Sequence, residues 1–332
     1  MDALQSVALT ALLSALLTGF ATWYSKRRGL LDHPGQRHTH EHPTPRGGGA
    51  GLILALLLVS LWLARPLFPS WWSVCLAPGL ALLAGVGWWD DHRPLSARIR
   101  FVVQLLACGF LLWCALRSGW MGGALAVALA GVFILWMTNL YNFMDGSNGM
   151  AGLQGVFGGL VLSWLFTGGG DMPSALAAAA VASACLGFLP WNLGQARVFM
   201  GDVGSLVLGF TFGAMIVFGV ASGAFDLPVG LMVMSLFLAD STLTLLVRVM
   251  NGERWYNAHR QHLYQRLIVS GWTHGRVALL YQVINLTLVL PGIALAVKFP
   301  DSAWPIALAM ALVFGLAWYL MIKKIGVLAR AE

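Results

Sequence analysis

The chain has 332 residues, of which 58% are hydrophobic and 10% charged, with a formal net charge of +7 at neutral pH and a mean hydropathy of +0.76. A soluble globular domain carries about 25% charged residues, so this chain cannot hide its apolar side chains in an aqueous core and is read as a polytopic membrane protein. The positive balance suits anionic lipid head groups or an anionic substrate. The absence of a basic stripe interleaved with aromatics outside the apolar runs argues against nucleic acid.

Apolar runs close to the roughly 20 residues that cross hydrocarbon lie at 3–24, 47–64, 71–89, 101–117, 122–138, 149–167, 174–191, 204–223, 228–247, 277–297 and 304–322. Runs this continuous lack the alternation of barrel strands, so the predicted class is all-α, with about 11 transmembrane helices. No Lys or Arg precedes the first run, whereas Lys26, Arg27 and Arg28 follow it. That order predicts an uncleaved helix with its N-terminus in the periplasm. The loops at 25–46, 90–100, 139–148, 192–203 and 248–276, with the C-terminal tail, then face the cytoplasm. Of the 20 Lys and Arg residues, all but Arg65, Arg117 and Lys298 fall there, which is the asymmetry the positive-inside rule expects. Cys75, Cys108, Cys114 and Cys185 all lie in apolar runs without metal-type spacing and read as packing residues. No fixed-period repeat, low-complexity tract or long linker divides the chain, so 1–332 is expected to be one membrane domain.

Only 13 residues are acidic, and their placement is lopsided. Asp90 and Asp91 open "DDHRPLSARIR", Asp145 lies in "NFMDGSNGM" and Asp202 in "VFMGDVGS", all on the predicted cytoplasmic face. Carboxylates at the ends of different helices can converge to hold Mg²⁺ and a diphosphate; the alternative is four ordinary solvated helix-end charges. Gly146 and Gly149, and again Gly201 and Gly204, let backbone amides approach a phosphate. Asn142, Asp145 and Asn148 recur every three residues, on one side of a helical turn. In "HRQHLYQRL", His259, His262 and Arg266 share a helical face, and Arg260 and Tyr264 another. Such donors suit a diphosphate and an amide-bearing sugar, or alternatively a basic helix lying on anionic lipid.

Two further features carry less. His38, His40 and His42 alternate as strand-borne zinc ligands might, but no fourth ligand stands nearby. Asp240, embedded in "MSLFLADSTLTLLVRVM", is a functional candidate because burying a carboxylate is costly. The expectation is a structural role orienting the following loop. Arg248 lies two turns away, about 12 Å along a helix, too far for a direct salt bridge.

"DDHRPLSARIRFVVQ", "NFMDGSNGMAG", "VFMGDVGSLVLG" and "HRQHLYQRL" resemble, in this order and spacing, the polyprenyl-phosphate N-acetylhexosamine-1-phosphate transferases, the family of the WecA and MraY enzymes. The similarity runs from "HPTPRGGG" (42–49) to about Arg276. It implies transfer of a sugar 1-phosphate from a UDP-N-acetylhexosamine to undecaprenyl phosphate at the inner leaflet of the bacterial cytoplasmic membrane, with release of UMP and a need for Mg²⁺, Mn²⁺ being a substitute. It also implies initiation of a lipid-linked glycan such as O-antigen. The partners expected are these two substrates and the lipid bilayer, with no nucleic acid, and with a homodimer as one admissible assembly.

Position by position, the resemblance implies that Asp90 and Asp91 are the paired aspartates near the phosphates. It makes Asp202 the magnesium ligand, with the amide oxygen of Asn142 sharing the metal and Asp145 beside them. Phe199 matches a ring that stacks on uracil. Asn148 departs from the family, where several members carry aspartate, but can still hydrogen-bond a sugar or phosphate. His259, Arg260, His262 and Arg266 match substrate-binding positions of the branch that uses simple N-acetylhexosamines, since the muramoyl-pentapeptide branch has a run of adjacent histidines there. The family's first cytoplasmic loop has a similar Pro-rich, Gly-Gly stretch without zinc. The resemblance also implies a groove near helices 4, 5 and 9 for the acceptor's chain. In-line attack by the lipid phosphate and a covalent aspartyl-phosphate route both remain open. The reading from another class is a secondary transporter or flippase; it accounts poorly for carboxylates at helix ends when Asp240 alone is embedded.

Overall fold

The computed structural model describes residues 2–32, 43–253 and 259–328; the expectations for His38, His40 and His42 lie outside them. Helices account for most of the described residues, as the apolar runs require, because in hydrocarbon every backbone amide and carbonyl must be satisfied within its own segment. In chain order they are α1 (Ala3–Arg28), α2 (Gly49–Leu63), α3 (Trp72–His92), α4 (Ala97–Arg117), α5 (Ala124–Phe143), α6 (Met150–Gly168), α7 (Met172–Asn192) and α8 (Asp202–Ala221). They continue with α9 (Leu227–Val233), α10 (Ser235–Met250), α11 (Leu263–Val269), α12 (His274–Lys298) and α13 (Ala303–Leu328).

Each of the predicted apolar runs is helical, yet two differ from a simple crossing. Among the described residues, 9 helices are long and apolar enough to span, and α9 with α10 makes a tenth only as a pair bent by 80°. The bend falls at Met234 without a proline. There Gln154, fully buried in α6, donates from Nε2 to the Val233 carbonyl at 3.4 Å, while its Oε1 accepts from Asn285 Nδ2 at 2.8 Å. A buried polar pair thus serves a carbonyl that the interrupted helix leaves unserved. The other is α2, which at 15 residues is about 22 Å long, short of the roughly 30 Å hydrocarbon thickness.

Helices α6, α7 and α8 are the most enclosed, while α1 and α13 present most of their surface outward. Outward residues such as Leu12, Leu16 and Phe20 of α1, and Leu308, Leu312 and Leu316 of α13, are exposed apolar side chains suited to lipid. The inner face of α1 carries Ser6, Thr10, Ser14 and Thr18, all fully buried. Ser14 Oγ donates to the Ala184 carbonyl of α7 at 2.6 Å, so small side chains let these helices approach closely.

The only strands among the described residues are a two-residue pair, β1 (Leu31–Asp32) and β2 (Thr44–Pro45), which are antiparallel with Leu31 opposite Pro45 and Asp32 opposite Thr44. The chain after β2 is stitched to the segment before α8. Phe199 N donates to the Pro45 carbonyl at 2.8 Å, Gly48 N to Phe199 O at 2.9 Å and Gly49 N to Met200 O at 2.9 Å. That contact fixes one wall of the candidate site.

Candidate active site

Three helix ends meet where the motifs lie. Asp91 closes α3, Asn142 sits in the last turn of α5 and Asp202 begins α8. Asp91, with 8% of its surface exposed, accepts from Asp202 N at 3.2 Å and Val203 N at 3.4 Å, capping the start of α8 with its side-chain oxygens. Two glycines make this approach feasible. Gly201 has φ +74°, and a Cβ there would lie 2.5 Å from Asp91 Oδ2; a Cβ at Gly87 would lie 2.5 Å from Val203 N.

Asp202 is the hub of the polar contacts. Its Oδ2 accepts from Arg100 Nη1 at 2.6 Å and its Oδ1 from Asn142 Nδ2 at 2.9 Å. Arg100 also reaches Asp90 Oδ2 at 3.3 Å, and Asp90 Oδ1 accepts from Leu95 N at 2.6 Å. Asn142 therefore presents nitrogen rather than oxygen to Asp202; the two amide atoms exchange by a half-turn of the terminal torsion.

A cavity of about 290 Å³ opens in front of these groups, lined by Asp91, Asn142, Asp145, Asn148, Phe199 and Asp202 among others. Burial pushes the Asp145 carboxyl well above the usual carboxylate range, and the charges of Asp202 and Asp91 push it the same way. Asp90 does not line the cavity, being turned to Arg100 and the backbone. The every-third spacing of Asn142, Asp145 and Asn148 predicts one helical side, but α5 ends at Phe143, and Asp145 and Asn148 lie in the following turn. All three still face one cavity. A second opening, about 1190 Å³, shares Asn148 and Phe199 with the first.

The basic segment is arranged differently from its periodic reading. α11 starts at Leu263, so His259 and Arg260 lie outside the helix and share no helical face with His262, Arg266 or Tyr264. The reason is Asp240. Its carboxylate, 3% exposed, accepts from Leu263 N at 2.7 Å, Tyr264 N at 3.3 Å, Tyr281 Oη at 2.8 Å and Trp318 Nε1 at 3.2 Å. It caps α11 across the bundle and fixes where that helix begins, which is the structural role expected of it. Arg248 pairs with Glu253 at 2.7 Å.

The buried Tyr264 donates to the Phe143 carbonyl at 2.8 Å, pulling α11 against the end of α5, and its neighbour Gln265 lines the cavity. His259, Arg260, His262 and Arg266 do not. His262 is buried, its ring stacked near Phe143 and Tyr264, and Arg266 Nε donates to the Gln261 carbonyl at 3.0 Å. His259 is lowered to about 4, chiefly by burial and next by the charge of His262, so it is neutral at pH 7. Residues of the cavity that the motifs did not single out include Asp32, Arg46, Ser147, Asn192 and Gln265, with Arg100 behind it.

Comparison with known proteins places the chain in a family. The family model described as Glycosyl transferase family 4 matches residues 72–220, a stretch that holds Asp91, Asn142, Asp145 and Asp202. The decaprenyl-phosphate N-acetylglucosaminephosphotransferase of Mycobacterium tuberculosis is 30% identical over 326 residues, covering 83% of this chain and 79% of its own. The chain belongs to the polyprenyl-phosphate N-acetylhexosamine-1-phosphate transferase family. Within that transferase family it is also similar to a probable undecaprenyl-phosphate N-acetylglucosaminyl 1-phosphate transferase of Bacillus subtilis, at 25% identity over 80% of this chain and 77% of the relative. The phospho-N-acetylmuramoyl-pentapeptide-transferase of Geobacillus kaustophilus is 27% identical, with 88% and 96% covered. Membership favours a transferase over a transporter.

Proposed function

We propose that the protein transfers an N-acetylhexosamine 1-phosphate from a UDP-sugar to undecaprenyl phosphate at the cytoplasmic face of a bacterial inner membrane, releasing UMP. The observation that carries this reading is the meeting of Asp91, Asn142, Asp145, Phe199 and Asp202 on one cavity at the ends of membrane helices, in a chain of this family. A simple N-acetylhexosamine is favoured over a peptide-bearing sugar by the N-acetylglucosamine-phosphate transfer for which the relatives from M. tuberculosis and B. subtilis are named and by the HR-x-H-x-Y-Q-R pattern.

A divalent cation fits the donor set. Asp91, Asp145 and Asp202 bring three carboxyl groups to one cavity, and Mg²⁺ commonly takes one or two carboxylates with phosphate oxygens completing its shell. Among the described residues no cluster of three or more His, Cys, Asp or Glu forms a ready-made cage. Asp202 and Asn142 would hold it, and its charge would make UMP a better leaving group.

The chain's own residues do the rest. Asp91 holds the start of α8 and with it the position of Asp202. Asp90 acts at one remove, through Arg100. Asp145 faces the cavity with a carboxyl that burial raises, which suits a group that shares a proton with a substrate phosphate. Phe199 stands between the two openings and offers a ring for the uracil, and Asn148 offers an amide to sugar or phosphate.

Incubating purified protein with undecaprenyl phosphate, Mg²⁺ and a panel of UDP-N-acetylhexosamines should release UMP with one or two of the donors; no UMP from any of them would refute the reading. For the cytoplasmic placement, a reporter at residue 170 should label from the periplasm and one at residue 195 only from the cytoplasm. Labelling of both from one side would overturn the orientation.

A further inference from the structure

The cavity carries an imbalance that the aspartates do not explain. Among its described lining residues, Asp32, Asp91, Asp145 and Asp202 carry carboxyl groups and Arg46 alone carries a guanidinium or ammonium. Arg100 is not among them, being spent on Asp90 and Asp202. A substrate that brings phosphate charge into such a place needs cationic partners beyond one metal, and a guanidinium offers a planar fork that a metal does not.

Arg46 is built in rather than loosely hung. Its amide donates to the Leu30 carbonyl at 3.1 Å, and its own carbonyl accepts from Ser25 Oγ at 2.9 Å. The residue before it takes a bond from Phe199 N, and Gly48 and Gly49 after it bond to Phe199 and Met200. The side chain is partly exposed, and its Nη2 lies 3.0 Å from Asp32 Oδ1 in the strand opposite. Asp32 is thus a second-hand member of the site, steering a guanidinium at the cavity's rim.

Resting on the function proposed above, we propose that Arg46 binds a phosphate group of a substrate and that Asp32 is the positioning residue that holds its guanidinium toward the cavity. The chemistry fits either the diphosphate of the nucleotide-sugar or the monoester of the lipid acceptor.

The test uses the full chain in nanodiscs, with Arg46→Gln, Arg46→Lys, Asp32→Asn and the Arg46→Gln/Asp32→Asn double variant. Direct binding of Mg²⁺–pyrophosphate, followed by calorimetry, reads the phosphate contact without turnover. Loss of a charge-assisted contact should weaken it about 10- to 100-fold in Arg46→Gln and less in Arg46→Lys, which keeps charge and loses the fork. Asp32→Asn should have a smaller effect, and the double variant should match Arg46→Gln alone, because Asp32 acts through Arg46. In turnover, a rise confined to the KM for UDP-sugar assigns the diphosphate, and one confined to the KM for undecaprenyl phosphate assigns the acceptor. If Arg46→Gln does not fold, as judged by its melting temperature, Arg46→Lys and Asp32→Asn carry the comparison. Unchanged pyrophosphate binding and unchanged KM values in folded Arg46 variants overturn the proposal, as does an Asp32→Asn effect that adds fully to that of Arg46→Gln. A wild-type protein that binds Mg²⁺–pyrophosphate through Arg46 yet releases no UMP would sink the proposed reaction while leaving the phosphate site standing.

Discussion

The aspartates and the basic segment carry similar periodic polar motifs, yet the fold treats them differently. Asp91, Asn142 and Asp202 sit at the ends of α3, α5 and α8, so where they meet is set by the packing of long helices. His259, Arg260 and His262 precede α11, whose start is set by a carboxylate 23 residues earlier, Asp240. A helix end is a rigid address. A loop's side chains go where its anchors send them, and periodicity says nothing about anchors.

That difference ranks the substitutions. Asp202→Asn should abolish transfer, a loss of at least about 1000-fold, and shift the Mg²⁺ dependence, because it removes the charge that holds Arg100 and would hold the metal. Near-normal activity with an unchanged Mg²⁺ optimum would take Asp202 out of the site. Asp240→Asn should come next. It replaces a charged acceptor of bonds from α11, Tyr281 and Trp318 by an amide that must turn a donor toward one of them. The expected result is a lower melting temperature and a roughly 10- to 100-fold fall in kcat/KM, with the Mg²⁺ optimum unmoved. A moved optimum would mean that Asp240 belongs with the metal.

Arg266→Lys should cost about 10-fold, through loss of the Nε contact to Gln261. Free replacement, as with Lys for Arg330 in the tail, would make the segment a membrane tether, whereas a loss as large as that of Asp202→Asn would erase the contrast between the two regions.

The smallest effect concerns pH. His259 is lowered from 6.5 to about 4, so between those values the unfolded chain binds the proton and the folded chain does not. Stability should therefore be full above about pH 6.5 and decline as pH falls toward 4. The melting temperature should follow that course, and His259→Gln should flatten it; an unaltered slope would show that His259 is not the group responsible.

Much of this was legible in the sequence. Long apolar runs report helices because lipid leaves the backbone no other economical choice, and the motifs at their ends brought Asp91, Asp145 and Asp202 to one cavity. The break at Met234 was not legible, since no proline or glycine marks it and its support comes from Gln154, 79 residues away along the chain. Arg46 was hidden for a related reason. Nothing in "PTPRGGG" says that this turn is tied to the backbone of Phe199 and Met200, about 150 residues later, and so faces Asp91. Gln265 reaches the cavity because Tyr264 fastens α11 to Phe143, a contact between segments that share no pattern.

Binding of Mn²⁺ in place of Mg²⁺, followed by electron paramagnetic resonance in the presence of UDP, tests the central claim most directly. The account predicts that wild type and Arg266→Lys hold the ion alike and that Asp202→Asn loses it; Mn²⁺ held equally well by Asp202→Asn, or lost in Arg266→Lys alone, would contradict it.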